Sequence, residues 1–112
     1  MNDLANKKCI PCDGGIPGFD INEIHKYLKK VDGWDVKSED KKTYFLFKEF
    51  KFKNFLESQN FVNKVGDISE NENHHPDIWF GWGYVKIKIF THAINGLHES
   101  DFVLAAKIDQ IF

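Results

Sequence analysis

Apolar residues at Ile21, Ile24, Leu28 and Val31 recur at helical spacing, with Asp20 placed as an N-cap and Glu23 three residues on, as in a capping box. They predict a first helix ending near Gly33. Trp34-Asp35-Val36 and the run 42–50 are rich in aromatic and β-branched residues and are separated by Ser38-Glu39-Asp40-Lys41, which predicts a hairpin. In its second strand Tyr44, Leu46 and Lys48 alternate with Phe45, Phe47 and Glu49, so both faces are expected to be partly covered. From Asn54 to about Glu70 the positions Phe55, Val62, Val65 and Ile68, with Phe61 beside them, predict the longest helix. Asn71-Glu72-Asn73 breaks the pattern, and Pro76 cannot sit inside a helix without losing a hydrogen bond, so His74 and His75 fall in a connection.

The segment 79–91 reads as strand, interrupted at Gly81 and Gly83, with Val85, Ile87 and Ile89 on one face and Tyr84, Lys86, Lys88 and Phe90 on the other. A short strand near Ile78 to Phe80 would complete an antiparallel sheet. A loop containing Gly96 leads to a last helix whose buried stripe is Phe102, Leu104, Ala105, Ile108 and Ile111. The order α-β-β-α-β-β-α predicts an α+β two-layer sandwich, a four-stranded antiparallel sheet with its helices on one face. Residues 1–19, with Pro11, Gly14, Gly15, Pro17 and Gly18, read as an extended arm, and residues 20–112 as a single domain.

Composition narrows the range of functions. A chain of 112 residues can bury one core but has no room for a separate cofactor-binding domain. Hydrophobic content of 42% and charged content of 29% describe an ordinary globular protein, and a formal net charge of −2 disfavours binding to nucleic acid. No apolar run approaches membrane-spanning length, and Met1-Asn2-Asp3-Leu4 has neither a basic nor an apolar leader region, so a cytosolic protein is expected. Cys9 and Cys12 supply two of the four ligands that a structural zinc wants, and the simplest reading is a pair of reduced thiols in a loose arm. A metal shared between subunits and a redox role are the other readings.

Three of the five histidines, His74, His75 and His92, gather where a loop enters a strand and where that strand ends. Such loops carry binding and catalytic groups on a rigid scaffold. Neutral imidazole both takes and gives a proton near neutral pH, so these residues can serve an elimination as base and acid. They can equally be zinc ligands, although adjacent His-His directs the rings apart, or ordinary polar surface. Residue chemistry alone leaves the three readings open.

The spacing Glu70, three residues, His74-His75-Pro76, five residues, Trp82, nine residues, His92, eight residues, Asp101 resembles the signature of the pterin-4a-carbinolamine dehydratases. Phe50, Asn54-Phe55, Phe61, Val65, Asp77, Thr91, Gly96-Leu97, Phe102 and Ala105-Ala106 also look like family positions, and the Cys9-x-x-Cys12 arm resembles that of many bacterial members. The resemblance implies a hydro-lyase, needing neither metal nor cofactor, that dehydrates 4a-hydroxytetrahydropterin and so recycles the pterin of aromatic amino-acid hydroxylases. It implies His74, His75 and His92 as catalytic residues, with Glu70, Pro76, Trp82, Thr91 and Asp101 in support. Glu70 would orient an imidazole unless it is a solvated helix-end carboxylate, and Trp82 would wall the pterin unless it belongs to the core. A homodimer or homotetramer is implied, with the sheets of a dimer joined edge to edge. Relatives that serve as dimerisation partners of a transcription factor, or that assist assembly of a carbon-fixing enzyme, supply an alternative as a binding module. One departure is His98, a poor N-cap where the family commonly has Thr or Ser; it leaves Asp101 to act on the last helix by charge alone, or Ser100 to start that helix late.

Overall fold

A computed structural model describes residues 3–9 and 17–112. Its elements are α1 (Ile21–Leu28), β1 (Asp35–Lys37), β2 (Phe45–Lys51), α2 (Phe55–Glu72), β3 (Asp77–Gly81), β4 (Tyr84–Ile89) and α3 (Glu99–Ile111). The four strands form one antiparallel sheet in the order β1-β2-β4-β3. The helices cover one of its faces, giving the expected α+β sandwich.

Local chemistry starts both early helices. Asp20 accepts the Glu23 N–H at 2.9 Å and opens α1, and Asn54 accepts the Glu57 N–H at 2.9 Å and opens α2. The buried stripe of α2 is Ser58, Phe61, Val65 and Ser69, while Phe55 is 46% exposed. The two serines escape an apolar-periodicity reading because each buries a hydroxyl that donates one turn back, to Asn54 O at 3.2 Å and Val65 O at 2.8 Å. α2 also runs two residues beyond the expected Glu70 and stops at Asn73, whose backbone is left-handed with φ 51°.

What reads as one interrupted strand is a tight hairpin. Gly83 at φ 77° turns the chain between β3 and β4, and Phe52 donates its N–H to Gly83 O at 2.8 Å. In register, Leu46 faces Ile89 and Phe50 faces Val85, so β2 and β4 present one continuous apolar surface to the helices. On the opposite face Lys88 lies over the rings of Phe45 and Phe90, so its aliphatic stem half-covers that face too.

α3 departs from the expected single stripe. It is buried without a break from Ser100 to Ala106, because a short 3₁₀ helix, Asp3–Asn6, packs Leu4 and Ala5 against it. Lys107 donates to Ala5 O at 2.9 Å and the Cys9 N–H to Glu72 at 2.8 Å. The loose arm expected there is therefore docked where it is described. Cys9 is a half-buried free thiol rather than a surface one. Cys12, with Pro11, Gly14 and Gly15, lies outside the described residues. Among the described residues no helix is long and apolar enough to cross a membrane.

Candidate active site

The loop bearing the histidine pair is built by the end of α2. With Asn73 left-handed, the His74 N–H turns back to Ser69 O at 3.1 Å, closing a Schellman-type cap, and half-buried Pro76 then forbids further helix. Consecutive residues in this extended stretch send their side chains apart. His74 turns inward and His75 outward.

The ring of His74, 13% exposed, places Nε2 2.7 Å from Asp101 Oδ1. Asp101 is completely buried. Its other oxygen accepts the Thr91 hydroxyl at 2.7 Å and the His98 N–H at 2.8 Å. One carboxylate thus ties together the end of β4, the start of α3 and the loop after α2. This corrects the expectation drawn from His98. α3 begins at Glu99 with His98 as N-cap, and Asp101 takes the N-cap N–H directly instead of acting through charge alone.

His75 contacts Glu70 through Nε2 in an exposed pair. Glu70, a largely solvated carboxylate near the helix end, thus contacts the second imidazole of the loop, while His74 pairs with Asp101. Both partners of the pair keep contact with solvent, so its energetic contribution is small.

His92 begins a 3₁₀ turn, His92–Ile94, that is closed underneath by paired bonds between Thr91 and Gly96, with Thr91 N–H to Gly96 O at 2.8 Å. Asn95, left-handed at φ 48°, returns its N–H to His92 O at 3.2 Å. The imidazole is exposed and packs on Phe90 with ring centroids 4.3 Å apart. Phe90 and Asn95 are neighbours of His92 that the sequence reading did not single out. The alternation along β4 places Phe90 on the outer face, but nothing in the spacing ties it to His92.

The antiparallel β3–β4 hairpin brings the start of β3 beside the end of β4, with Asp77 opposite Lys88, so His74, His75 and His92 share one end of the sheet. Trp82 does not join them within the chain. It sits in the turn at the other end of the hairpin, 72% exposed, and is neither a wall beside the histidines nor part of the core. The tight turn at Gly83 is the physical reason, since a side chain at its tip is carried out into solvent. Among the described residues no group of three or more His, Cys, Asp and Glu side chains is arranged to hold a metal ion.

This arrangement supplies one oriented, partly shielded imidazole, one solvent-facing imidazole with a carboxylate partner, and a third on an aromatic base. Proton transfer is chemistry that such a set suits. Residues 17–111 match the profile of the family described as pterin 4 alpha carbinolamine dehydratase. A protein of Rubrobacter xylanophilus assigned by name to that activity is 48% identical over 111 residues, covering 99% of this chain and 100% of the relative. One of Alkaliphilus metalliredigens, with the same assigned name, is 49% identical, covering 98% and 96%. A crystal structure described as a transcriptional coactivator/pterin dehydratase from Brucella melitensis superposes with a TM-score of 0.77 at 26% identity, covering 84% of this chain and 97% of that one. A pterin dehydratase-like protein described as a RuBisCO assembly factor in the α-carboxysome superposes with a TM-score of 0.60 at 26% identity, covering 70% and 88%. On the profile match, and on relatives matched over their whole length, this chain belongs to the pterin-4a-carbinolamine dehydratase family.

Proposed function

We propose that the protein dehydrates 4a-hydroxytetrahydropterin to the quinonoid dihydropterin by histidine acid/base catalysis, restoring the cofactor of aromatic amino-acid hydroxylases. The observation that carries this reading is the His74 imidazole held by buried Asp101 at the sheet end shared with His75 and His92. In the reaction the C4a–O bond breaks and the departing hydroxyl takes a proton to leave as water. Nitrogen 5 gives up its proton, and its electron pair forms the new C=N bond. His74 and His92 flank carbon 4a and exchange protons with the hydroxyl. His75 binds the ring and receives the proton of nitrogen 5. Asp101 is a positioning residue, holding one ring nitrogen of His74 so that the other faces the substrate.

The test is decay of 4a-hydroxytetrahydropterin with and without the protein. Acceleration above the spontaneous rate is expected, and His74→Ala and His92→Ala are each expected to lower it about a hundredfold or more. A folded wild-type protein that leaves the spontaneous rate unchanged overturns the reading.

The likeness to an assembly factor favours one second reading, that the fold acts as a binding module. Partners captured equally well by a variant lacking all three histidines would support it. We also assign a homodimer or homotetramer, since β3 is an edge strand and Trp79 and Phe80 on it are 50% and 37% exposed. A monomer in sedimentation equilibrium would refute that assignment. The free thiol of Cys9 fits a reducing cytosol.

A further inference from the structure

Trp82 sits at the tip of a turn that is firmly held. A Cβ at Gly81 would lie 2.7 Å from the Tyr84 ring, so close is the packing there, and Phe52 donates its N–H to Gly83 O at 2.8 Å. The indole carried by this fixed turn is nevertheless exposed. From it the exposed apolar surface continues along β3 through Phe80 and Trp79, and by the Phe55–Phe80 ring contact it reaches Phe55 and Leu56 at the start of α2. A run of exposed apolar side chains along a sheet edge marks a contact surface.

The two edges of the sheet differ. β1 is 3 residues long with charged Asp35 and Lys37 at its ends, a short and guarded edge, whereas β3 is 5 residues long and carries Trp79 and Phe80. Gly81 and Tyr84 flank the turn and so form a bonded pair, and bonding alternates along an antiparallel ladder. Asp77, Trp79 and Gly81 therefore bond β4, while Ile78 and Phe80 turn their N–H and C=O groups to the open edge. These outward groups fit a second copy of the same strand. A two-fold axis at Trp79 sets Ile78 opposite the partner's Phe80 and Phe80 opposite the partner's Ile78, so each outward group finds a bond. Pro76, with no N–H to give, ends the ladder.

We infer that a second copy of this chain completes the site: paired through β3, each protomer sets its Trp82 against the His74-His75-Pro76 loop of the other. The axis that pairs Ile78 with the partner's Phe80 also brings Pro76 opposite the partner's Trp82. Within one chain Pro76 and Trp82 flank opposite ends of β3, roughly 20 Å apart at about 3.4 Å per residue. Across the axis they are neighbours, with about 5.5 Å between Cα atoms. The partner's indole is then a flat apolar wall beside exposed His75 and half-buried Pro76. Its service as a wall for substrate rests on the dehydratase reading, whereas its position does not.

Cross-linking tests the position independently of activity. In a Cys12→Ser background, co-expressed Pro76→Cys and Trp82→Cys chains should form a disulfide-linked dimer on mild oxidation, since facing residues lie within disulfide range. Neither variant should do so alone, because like residues of the two copies lie at opposite ends of the paired strands. Trp79→Cys faces itself across the axis and should link on its own, which keeps the test decisive should Pro76→Cys fold poorly. Folded proteins that fail to link in these combinations overturn the inference. Activity tests the role. Trp82→Ala should lower kcat/KM about tenfold, mainly through KM, for the loss of a stacked ring. Co-expressed with His74→Ala, it should return about a quarter of wild-type activity, well above the mean of the two parents, because about half of the dimers then hold one intact site built from both chains. A mixture at the parental mean, with heterodimers present by native mass spectrometry, overturns the inference, and so does full activity in Trp82→Ala. Linking as expected in a protein that accelerates no hydroxypterin overturns the dehydratase reading and leaves the placement of Trp82 standing.

Discussion

Asp101 shows how one side chain joins structure to chemistry. Completely buried, it accepts from Thr91, His98 and the ring of His74, so removing it leaves a buried hydroxyl and a part-buried N–H without an acceptor. Asp101→Ala is expected to destabilise the fold by about 3 kcal/mol, measured by denaturant unfolding. Asp101→Asn preserves the shape but replaces one accepting oxygen with a donor, so a smaller loss of stability is expected. If the residue positions His74, kcat should still fall about 10-fold to 100-fold with KM little changed. Loss of stability with kcat retained would make Asp101 structural only. The spacing in the sequence could place Asp101 in the cluster but could not give its partner, since the bond to His74 spans 27 residues and depends on how α3 docks. Trp82 shows the converse: its spacing fits the pattern, yet within the chain it lies in a turn at the far end of the hairpin, exposed and apart from the core.

At the scale of elements, most boundaries were legible because they follow local chemistry. Asp20 and Asn54 open helices by bonding their own backbone, and the apolar alternation of β4 survives intact as Val85, Ile87 and Ile89. The errors lie where tertiary packing decides. Ser58 and Ser69 are buried despite their polarity, and α3 loses its one-sided pattern because the N-terminal segment covers a second side. The end of α2 matters most for the candidate site, since left-handed Asn73 turns the chain where the His74 N–H bonds back to Ser69 O. An alanine in that left-handed conformation is strained, whereas glycine is not. Asn73→Ala should therefore cost about 1 kcal/mol, and Asn73→Gly should leave the unfolding midpoint close to that of wild type. Equal losses in both variants would mean that the Asn73 side chain, and not its backbone angle, holds the loop.

Across the whole molecule, the N-terminal segment packs against the two helices that flank the candidate site, although its composition gave no sign of it. A short 3₁₀ turn lies below the threshold of any periodic pattern, and Leu4 and Ala5 reveal their burial only against α3, about a hundred residues away. Through Cys9 and Glu72 the same segment holds the last turn of α2, directly before the histidine loop. Leu4 is 2% exposed, so Leu4→Ala should cost about 2 to 4 kcal/mol. On a chain of this size that lowers Tm by roughly 10 °C or more. Cys9 provides a direct readout of docking. Burial foremost, and then the charges of Glu72 and Asp101, push its thiol up to about 12 from an ordinary 9.0. The unfolded chain therefore releases this proton at a pH where the folded chain retains it. The group's contribution to stability is complete below pH 9 and disappears as pH rises towards 12. In a Cys12→Ser background, alkylation by iodoacetamide at pH 8 should be at least about a hundredfold slower in the folded protein than in denaturant, because thiolate is the reacting species. Leu4→Ala should restore much of that rate. Fast alkylation of the folded Cys12→Ser protein would show that the segment leaves α3 in solution, and the support that it gives to the end of α2 would then have to come from within the helix itself.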